Sequence, residues 1–212
     1  MAPTTFQTVT LPHPLWFVRH GATQPNLDRL RCGGDLDVEM TDLGREQIKA
    51  AADKLRAMSS AIELIVCSDL MRTDESARML SLALGGCDVL VLPGFRERML
   101  GRWNLVSVTD TEAALQRGDT PPGGESAPQF ADRIAAAMRV LADAMLGRHT
   151  LLVGSRGVAR ILNALSSNEP PFQRANRVAT PSTPHGAGNG EVLCFDFTKR
   201  MPTAAQFEGA LT

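Results

Sequence analysis

Five short apolar runs, separated by amphipathic stretches, constrain this chain more than any other feature. They are Leu-Trp-Phe-Val at 15–18, Ile-Glu-Leu-Ile-Val-Cys at 62–67, Val-Leu-Val-Leu-Pro at 89–93, Leu-Leu-Val-Gly at 151–154 and Glu-Val-Leu-Cys-Phe-Asp-Phe at 191–197. Runs this apolar suit strands covered on both faces. Between them, 42–58, 69–84 and 129–146 carry apolar residues at three- and four-residue spacing, as helices with one buried face do. Ser126 reads as an N-cap with Gln129 three residues on and Pro128 in the first turn, which starts the third helix near 126. The stretch Leu-Leu-Val-Gly-Ser-Arg-Gly-Val-Ala-Arg at 151–160 has the look of a buried strand running into a helix. This alternation predicts an α/β fold, a three-layer α/β/α sandwich with a mostly parallel central sheet, and ligands of such sheets bind at the carboxyl ends of strands. The Pro/Gly-rich pieces at 119–124 and 180–190 read as loops, the second a mobile one.

The chain has 212 residues, 43% of them hydrophobic, and shows no internal repeat or linker, so a single domain over 1–212 is expected. A net charge of −1, from 22 basic and 23 acidic residues, leaves no electrostatic footprint for nucleic acid or an anionic membrane. Any positive potential must be local. Cys32, Cys67, Cys87 and Cys194 are scattered without a CxxC pair, which argues against a zinc cluster or a disulfide framework and for reduced, mostly buried thiols. The first residues lack a basic n-region, and no run reaches the length of a membrane span, so a cytoplasmic location is expected.

Three clusters follow strand ends. In Val-Arg-His-Gly-Ala-Thr-Gln-Pro-Asn (18–26), His20 faces a cleft at the strand edge or is a hydrogen-bonded structural residue, with Arg19 beside it able to hold an anion. In Cys-Ser-Asp-Leu-Met-Arg (67–72), Ser68 and Asp69 suit a helix cap that would place Arg72 near Arg19, where two guanidinium forks suit a phosphate dianion. The plainer reading pairs Asp69 with Arg72 on the surface as i,i+3 neighbours. In Phe-Arg-Glu-Arg-Met-Leu-Gly-Arg-Trp (95–103), Glu97 is either a general acid or a solvated loop charge.

Taken together these pieces resemble the histidine phosphatase superfamily, the phosphoglycerate mutase-like family, from about Leu15 to Arg160, with a weaker tail to Phe197. Arg-His-Gly-Ala-Thr-Gln-Pro-Asn is similar to its Arg-His-Gly-x-Thr-x-x-Asn signature. Gly-Gly-Asp-Leu-Asp-Val-Glu-Met-Thr-Asp-Leu-Gly (33–44), the Ser-Asp-Leu-Met-Arg segment, Glu97 with Gly101 and Trp103, and Pro-Gly-Gly-Glu-Ser (122–126) are similar to four further ordered motifs. The resemblance implies that His20 attacks phosphorus and becomes a phosphohistidine which water hydrolyses. It implies also that Arg19, Arg72 and Asn26 bind the phosphate, and that Glu97 protonates the leaving group with a pKa raised by enclosure. No metal and no cofactor are implied, because the arginines supply the electrostatic stabilisation. The implied partner is a small phosphorylated substrate or inorganic phosphate.

Two departures stand out. Where the family has Ser-His-Gly-Gly after its fourth strand, one register puts Ser155 at the histidine and the other puts Arg156 there, so the second catalytic histidine is replaced either way. Arg156 either reaches the pocket and restores a cation or points to solvent. His185 has a loop context; His13 and His149 have no motif. Second, Trp103-Asn104-Leu105 stands where the family often has Trp-x-Gly, which reshapes the substrate entrance. The resemblance therefore leaves three functions open: a phosphomonoesterase that turns over slowly, a phospholigand-binding or regulatory protein without turnover, and, less well supported for want of a long insertion after Glu97, a phosphoglycerate mutase.

Overall fold

The computed structural model describes residues 10–58, 61–166 and 187–198. Strands β1 (Leu15–Arg19), β2 (Leu64–Cys67), β3 (Asp88–Val91), β4 (Thr150–Gly154) and β5 (Val192–Phe195) form one five-stranded sheet in the order β3-β2-β4-β1-β5. All neighbours run parallel except β5, which pairs antiparallel with β1 through Leu15↔Phe195 and Val18↔Val192. The alternation of strand side chains explains why both faces need a cover. Leu15, Phe17, Leu64, Val66 and Leu152 join one core cluster, and Val18, Ile65, Cys67, Leu151 and Val153 the other.

The first cluster is closed by helices α5 (Ala127–Met145) and α6 (Arg156–Ser166) through Ile134, Met138, Leu141, Val158 and Leu162. The second is closed by α2 (Asp42–Ala57) and α3 (Met71–Ala83) through Ile48, Leu55, Ala77 and Leu80. Each such Val, Leu, Ile or Met side chain taken fully out of water contributes roughly 1.5–3 kcal/mol. The expected three-layer sandwich with a mostly parallel sheet is therefore the one observed.

Local signals behave unevenly. The Ser126 cap forms as expected: its hydroxyl accepts from Gln129 N at 3.3 Å while Gln129 Oε1 accepts from Ser126 N at 2.8 Å. Ser68 and Asp69 do not cap α3, whose N-cap is Leu70 with no side-chain bond. Ser68 instead shares a 2.7 Å hydrogen bond with Thr73, and Asp69 takes two bonds, 2.6 and 2.7 Å, from the Arg96 guanidinium. The surface pair of Asp69 with Arg72 is likewise absent, since Arg72 is 1% exposed and turns inward.

Two helices were not expected. One is the short α1 (Gln24–Leu27); the other is α4 (Val108–Gln116), whose start is capped by Ser107 accepting from Thr109 N. Strands β3 and β5 are shorter than the apolar runs, β3 because Pro93 opens a 3₁₀ turn over Pro93–Phe95. All four cysteines are free, but only Cys67 is buried; Cys32 and Cys87 are partly exposed and Cys194 lies exposed on β5, so the expectation of mostly buried thiols fails. Among the described residues no helix is long and apolar enough to cross a membrane.

Candidate active site

Because β1 and β4 are parallel neighbours with Arg19 opposite Gly154, the segments leaving them emerge side by side. His20 N donates to Gly154 O at 2.9 Å, which ties the histidine to the turn that carries Ser155. His20 is 3% exposed, and its Nδ1 lies 2.8 Å from the carbonyl oxygen of Gly21. A carbonyl only accepts, so Nδ1 carries the proton and Nε2 keeps its lone pair. Burial, then the charges of Arg72 and Arg19, hold the ring well below the ordinary histidine range; the Gly21 bond opposes them and Arg156 adds to them. The imidazole is neutral at pH 7.

The turn that carries His20 is braced from three directions. Gly21 N donates to Ser76 Oγ at 3.2 Å, and Ser76 donates to Arg72 O at 2.7 Å, joining the turn to α3. Gly21 and Gly44 pack backbone to backbone, so a Cβ at either would overlap the other's main chain or its neighbour's. From the far end of the chain, Asn189 Nδ2 donates to His20 O at 2.9 Å and to Asn26 Oδ1 at 3.2 Å.

Arg19 and Arg72 flank the ring. Arg72 is fixed by donating to Leu36 O at 2.9 Å and Gly33 O at 3.0 Å. Arg19 donates through one terminal nitrogen to Ala187 O at 2.8 Å, while Gly190 N returns a bond to Arg19 O at 3.0 Å. Residues 187–190, expected to belong to a mobile loop, thus hold the site together; His185 lies outside the described residues.

Glu97 enters from the turn after β3. Its Oε1 accepts from Arg98 N at 2.7 Å and its Oε2 from Gly157 N at 2.8 Å, so the carboxyl group bridges to the first turn of α6. Gly157 is required for that approach, since a Cβ there would overlap Oε1. The neighbouring guanidinium groups point elsewhere, Arg96 to Asp69 and Arg98 Nε to Glu125 O at 2.8 Å. Arg133 of α5 fixes the backbone of the turn, donating to Gly94 O, Arg96 O and Glu97 O while paired with Glu125 at 2.7 Å. Neither Arg133 nor Asn189 was legible as a site residue.

Ser155 is 3% exposed, next to His20 in the fold. Arg156 is partly buried, its Nε is out of water, and its charge lowers both Arg19 and His20. Arg19 is pulled down to about 9 by burial and then by Arg156; Arg156 itself is lowered by burial and then by Arg160. Among the described residues, the buried side-chain polar atoms without a hydrogen-bond partner are Arg19 Nε, Thr23 Oγ1, Asp74 Oδ1, Ser155 Oγ and Arg156 Nε. All but Asp74 belong to the segments leaving β1 and β4. Buried donors left in this way are costly, and an oxyanion is the group that satisfies several of them at once.

Comparison with known proteins identifies the family. The sequence profile of the histidine phosphatase superfamily (branch 1) matches residues 15–183. Phosphoglycerate mutase-like protein 4 of Arabidopsis thaliana is 33% identical over 158 residues, 68% of this chain and 67% of that protein. The probable phosphoglycerate mutase GpmB of Enterobacter sp. (strain 638) is 34% identical over 155 residues, covering 68% and 70%. Among solved structures, a mycobacterial glucosyl-3-phosphoglycerate phosphatase in complex with VO3 superposes with a TM-score of 0.68 at 28% identity, covering 90% of this chain and 97% of that one. The alpha-ribazole phosphatase of Shigella flexneri superposes with a TM-score of 0.62 at 26% identity, covering 72% and 78%. The chain belongs to the histidine phosphatase superfamily, branch 1.

Proposed function

We propose that this protein is a metal-independent cytoplasmic phosphomonoesterase, acting on a small phosphorylated metabolite through a phosphohistidine on His20. The observation that carries the reading is the state of His20: a buried, neutral ring whose Nδ1–H is held by Gly21 O, so that Nε2 is the available nucleophile. Arg19, Arg72 and Arg156, with the Ser155 hydroxyl and Asn26 at the wall, supply the charge and donors that a phosphoryl dianion needs.

In the first half-reaction Nε2 attacks phosphorus, the P–O bond to the leaving group breaks, and Glu97 transfers a proton to the departing oxygen. Each Glu97 oxygen accepts one backbone N–H and retains a second lone pair, so a proton can be carried there. The ring then carries phosphorus on Nε2 and hydrogen on Nδ1, and the Gly21 carbonyl stabilises that cation. In the second half-reaction water attacks phosphorus, Glu97 takes its proton, the N–P bond breaks, and phosphate leaves with His20 neutral again.

The residue pair Ser155-Arg156 replaces the second catalytic histidine in this reading. Ser155 supplies a neutral donor and Arg156 a cation. Loss of one preorganised donor costs on the order of 10²–10³ in turnover, so a slow enzyme is expected. Because Ser155 Oγ is buried without a protein partner, a second reading is a phospholigand-binding or regulatory protein that holds an anion without turnover. A mutase is the weaker third, since only a modest segment separates Glu97 from Gly123.

Steady-state hydrolysis of an aryl phosphate by the parent, His20→Ala and Ser155→His separates the first two. Activity that vanishes in His20→Ala and rises in Ser155→His supports the esterase. Phosphate binding without turnover, lost on substitution of Arg19 or Arg72, supports the binder.

A further inference from the structure

Glu97 stands in irregular backbone between two 3₁₀ turns, Pro93–Phe95 and Gly101–Trp103, where no helix or strand ladder sets its direction. Two helices set it instead, one at each end of the residue. The carboxyl group is tied to α6 through Gly157 N, and the main chain to α5 through Arg133. Arg133 donates through Nε to Glu125 Oε1 at 2.9 Å, through one terminal nitrogen to Gly94 O and Arg96 O at 2.9 Å each, and through the other to Glu97 O at 3.1 Å and Glu125 Oε2 at 2.7 Å. A guanidinium has five N–H donors in a rigid planar fork. All are taken by protein acceptors, so none is left for a ligand. Glu125 is itself woven into the strip that follows Glu97: its N donates to Met99 O at 2.9 Å, its Oε2 accepts from Met99 N at 3.3 Å, and its O accepts from Arg98 Nε at 2.8 Å. Gly94 lets α5 come this close, since a Cβ there would overlap Ala137. With side chains 23% and 13% exposed, Arg133 and Glu125 form a partly desolvated two-point pair, unlike the open surface pairs that contribute little.

We propose that Arg133, clamped by Glu125, is the positioning residue of proton transfer to the leaving group: it fixes the main chain of 94–97 so that the Glu97 carboxyl group is held at Gly157. This inference rests on the phosphomonoester reading, in which Glu97 protonates the departing oxygen. A lysine at 133 would keep the charge but offers a point donor that cannot span three carbonyls and a carboxylate. The damage would fall on proton transfer, because His20, Arg19 and Arg72 are held by other partners, Gly21 O, Ala187 O and the carbonyls of Gly33 and Leu36.

The test compares phenyl phosphate, whose leaving group needs a proton, with 2,4-dinitrophenyl phosphate, whose leaving group departs without one. The readout is kcat/KM, which covers the steps through P–O cleavage and so excludes the later hydrolysis of the phosphohistidine common to both esters. Arg133→Lys should lower kcat/KM for phenyl phosphate by about 10²-fold and for the dinitrophenyl ester far less, moving the ratio between them by about tenfold or more. In a Glu97→Gln background the same substitution should leave the ratio where it is. Glu125→Gln keeps the size of the clamp but turns an N–H toward the fork, and should move the ratio the same way by less; it carries the test if Arg133→Lys does not fold. Equal losses with both esters, or a ratio that moves as far in the Glu97→Gln background, would overturn the positioning role and leave the esterase standing. If the parent hydrolyses neither ester, the esterase reading fails and the amide resonance of Gly157, the donor to Glu97 Oε2, decides the positioning role. In Arg133→Lys it should shift toward its place in Glu97→Ala; a resonance that stays where the parent has it overturns the role.

Discussion

The turns leaving β1 and β4 lie side by side, yet they are built in opposite ways. In the first, the histidine ring and the main chain are committed, His20 N to Gly154 O, His20 O to Asn189, Nδ1 to Gly21 O and Gly21 N to Ser76, with Arg19 held by Ala187; only Arg19 Nε and Thr23 Oγ1 of this segment are buried and unbound. In the second, Gly157 N is committed to Glu97, whereas Ser155 Oγ and Arg156 Nε are buried and unbound. One turn fixes an orientation; the other presents donors. A nucleophile gains from being held in one tautomer and one direction before the substrate arrives, and an oxyanion site gains from donors that no protein acceptor occupies.

The sharpest way to break this contrast is to remove the ring from the fixed turn. His20→Ala should lower kcat by on the order of 10⁴-fold or more, measured with an aryl phosphate, while leaving phosphate binding in place. On the donor side, Arg156→Gln removes charge at similar volume and should cost about 10²–10³ in kcat; a loss in KM alone would assign Arg156 to ground-state binding. Between the turns, Gly157→Ala drives a Cβ into Glu97 Oε1 and should cost about 10²-fold, the usual consequence of a misplaced catalytic group. That loss should be smaller with a leaving group acidic enough to depart unprotonated.

The pH dependence sharpens the contrast further. The folded pKa of His20 lies well below its unfolded value near 6.5, so the unfolded chain binds more protons at this residue between the two. Stability from this residue is therefore fully present above about 6.5 and is lost as pH falls toward the folded pKa. Urea unfolding at pH 7 and pH 5 should show His20→Ala losing less stability than the parent on acidification, by up to about 2 kcal/mol. In activity, the acid limb contributed by His20 should lie below the ordinary histidine range. The smallest effect is expected at Leu105, an exposed residue held at φ 63°. A left-handed conformation costs a non-glycine residue about 1–2 kcal/mol. Leu105→Gly, after its greater freedom when unfolded is counted, should raise the urea midpoint by the equivalent of about 0.5–1 kcal/mol.

The parts of the fold written in local patterns were legible. The apolar runs and the Ser126 cap each carry their information within a few residues, and five motifs in order located His20, Arg19, Arg72 and Glu97 on the turns that meet. What escaped was non-local or weakly patterned. In α4, Val-Thr-Asp-Thr-Glu-Ala-Ala-Leu-Gln buries only Thr111, so no apolar period marks it. Asp69 finds Arg96 across 27 positions, a choice no window around Asp69 contains. Asn189 stands in a Gly-Asn-Gly stretch that reads as loop punctuation, although its amide holds the His20 backbone from 169 positions away. The direction of Arg156 was open in the sequence, because a residue opening a helix can face either way; what the fold adds is that its Nε is buried.

The most direct test of the central claim is to quench the enzyme within its first turnovers on an aryl phosphate and map the phosphorylated residue by mass spectrometry under alkaline conditions, where phosphoramidates survive. The account predicts phosphate on His20, formed no more slowly than steady-state turnover and absent in His20→Ala. Turnover with no phosphohistidine, or with the phosphate on another residue, would contradict it.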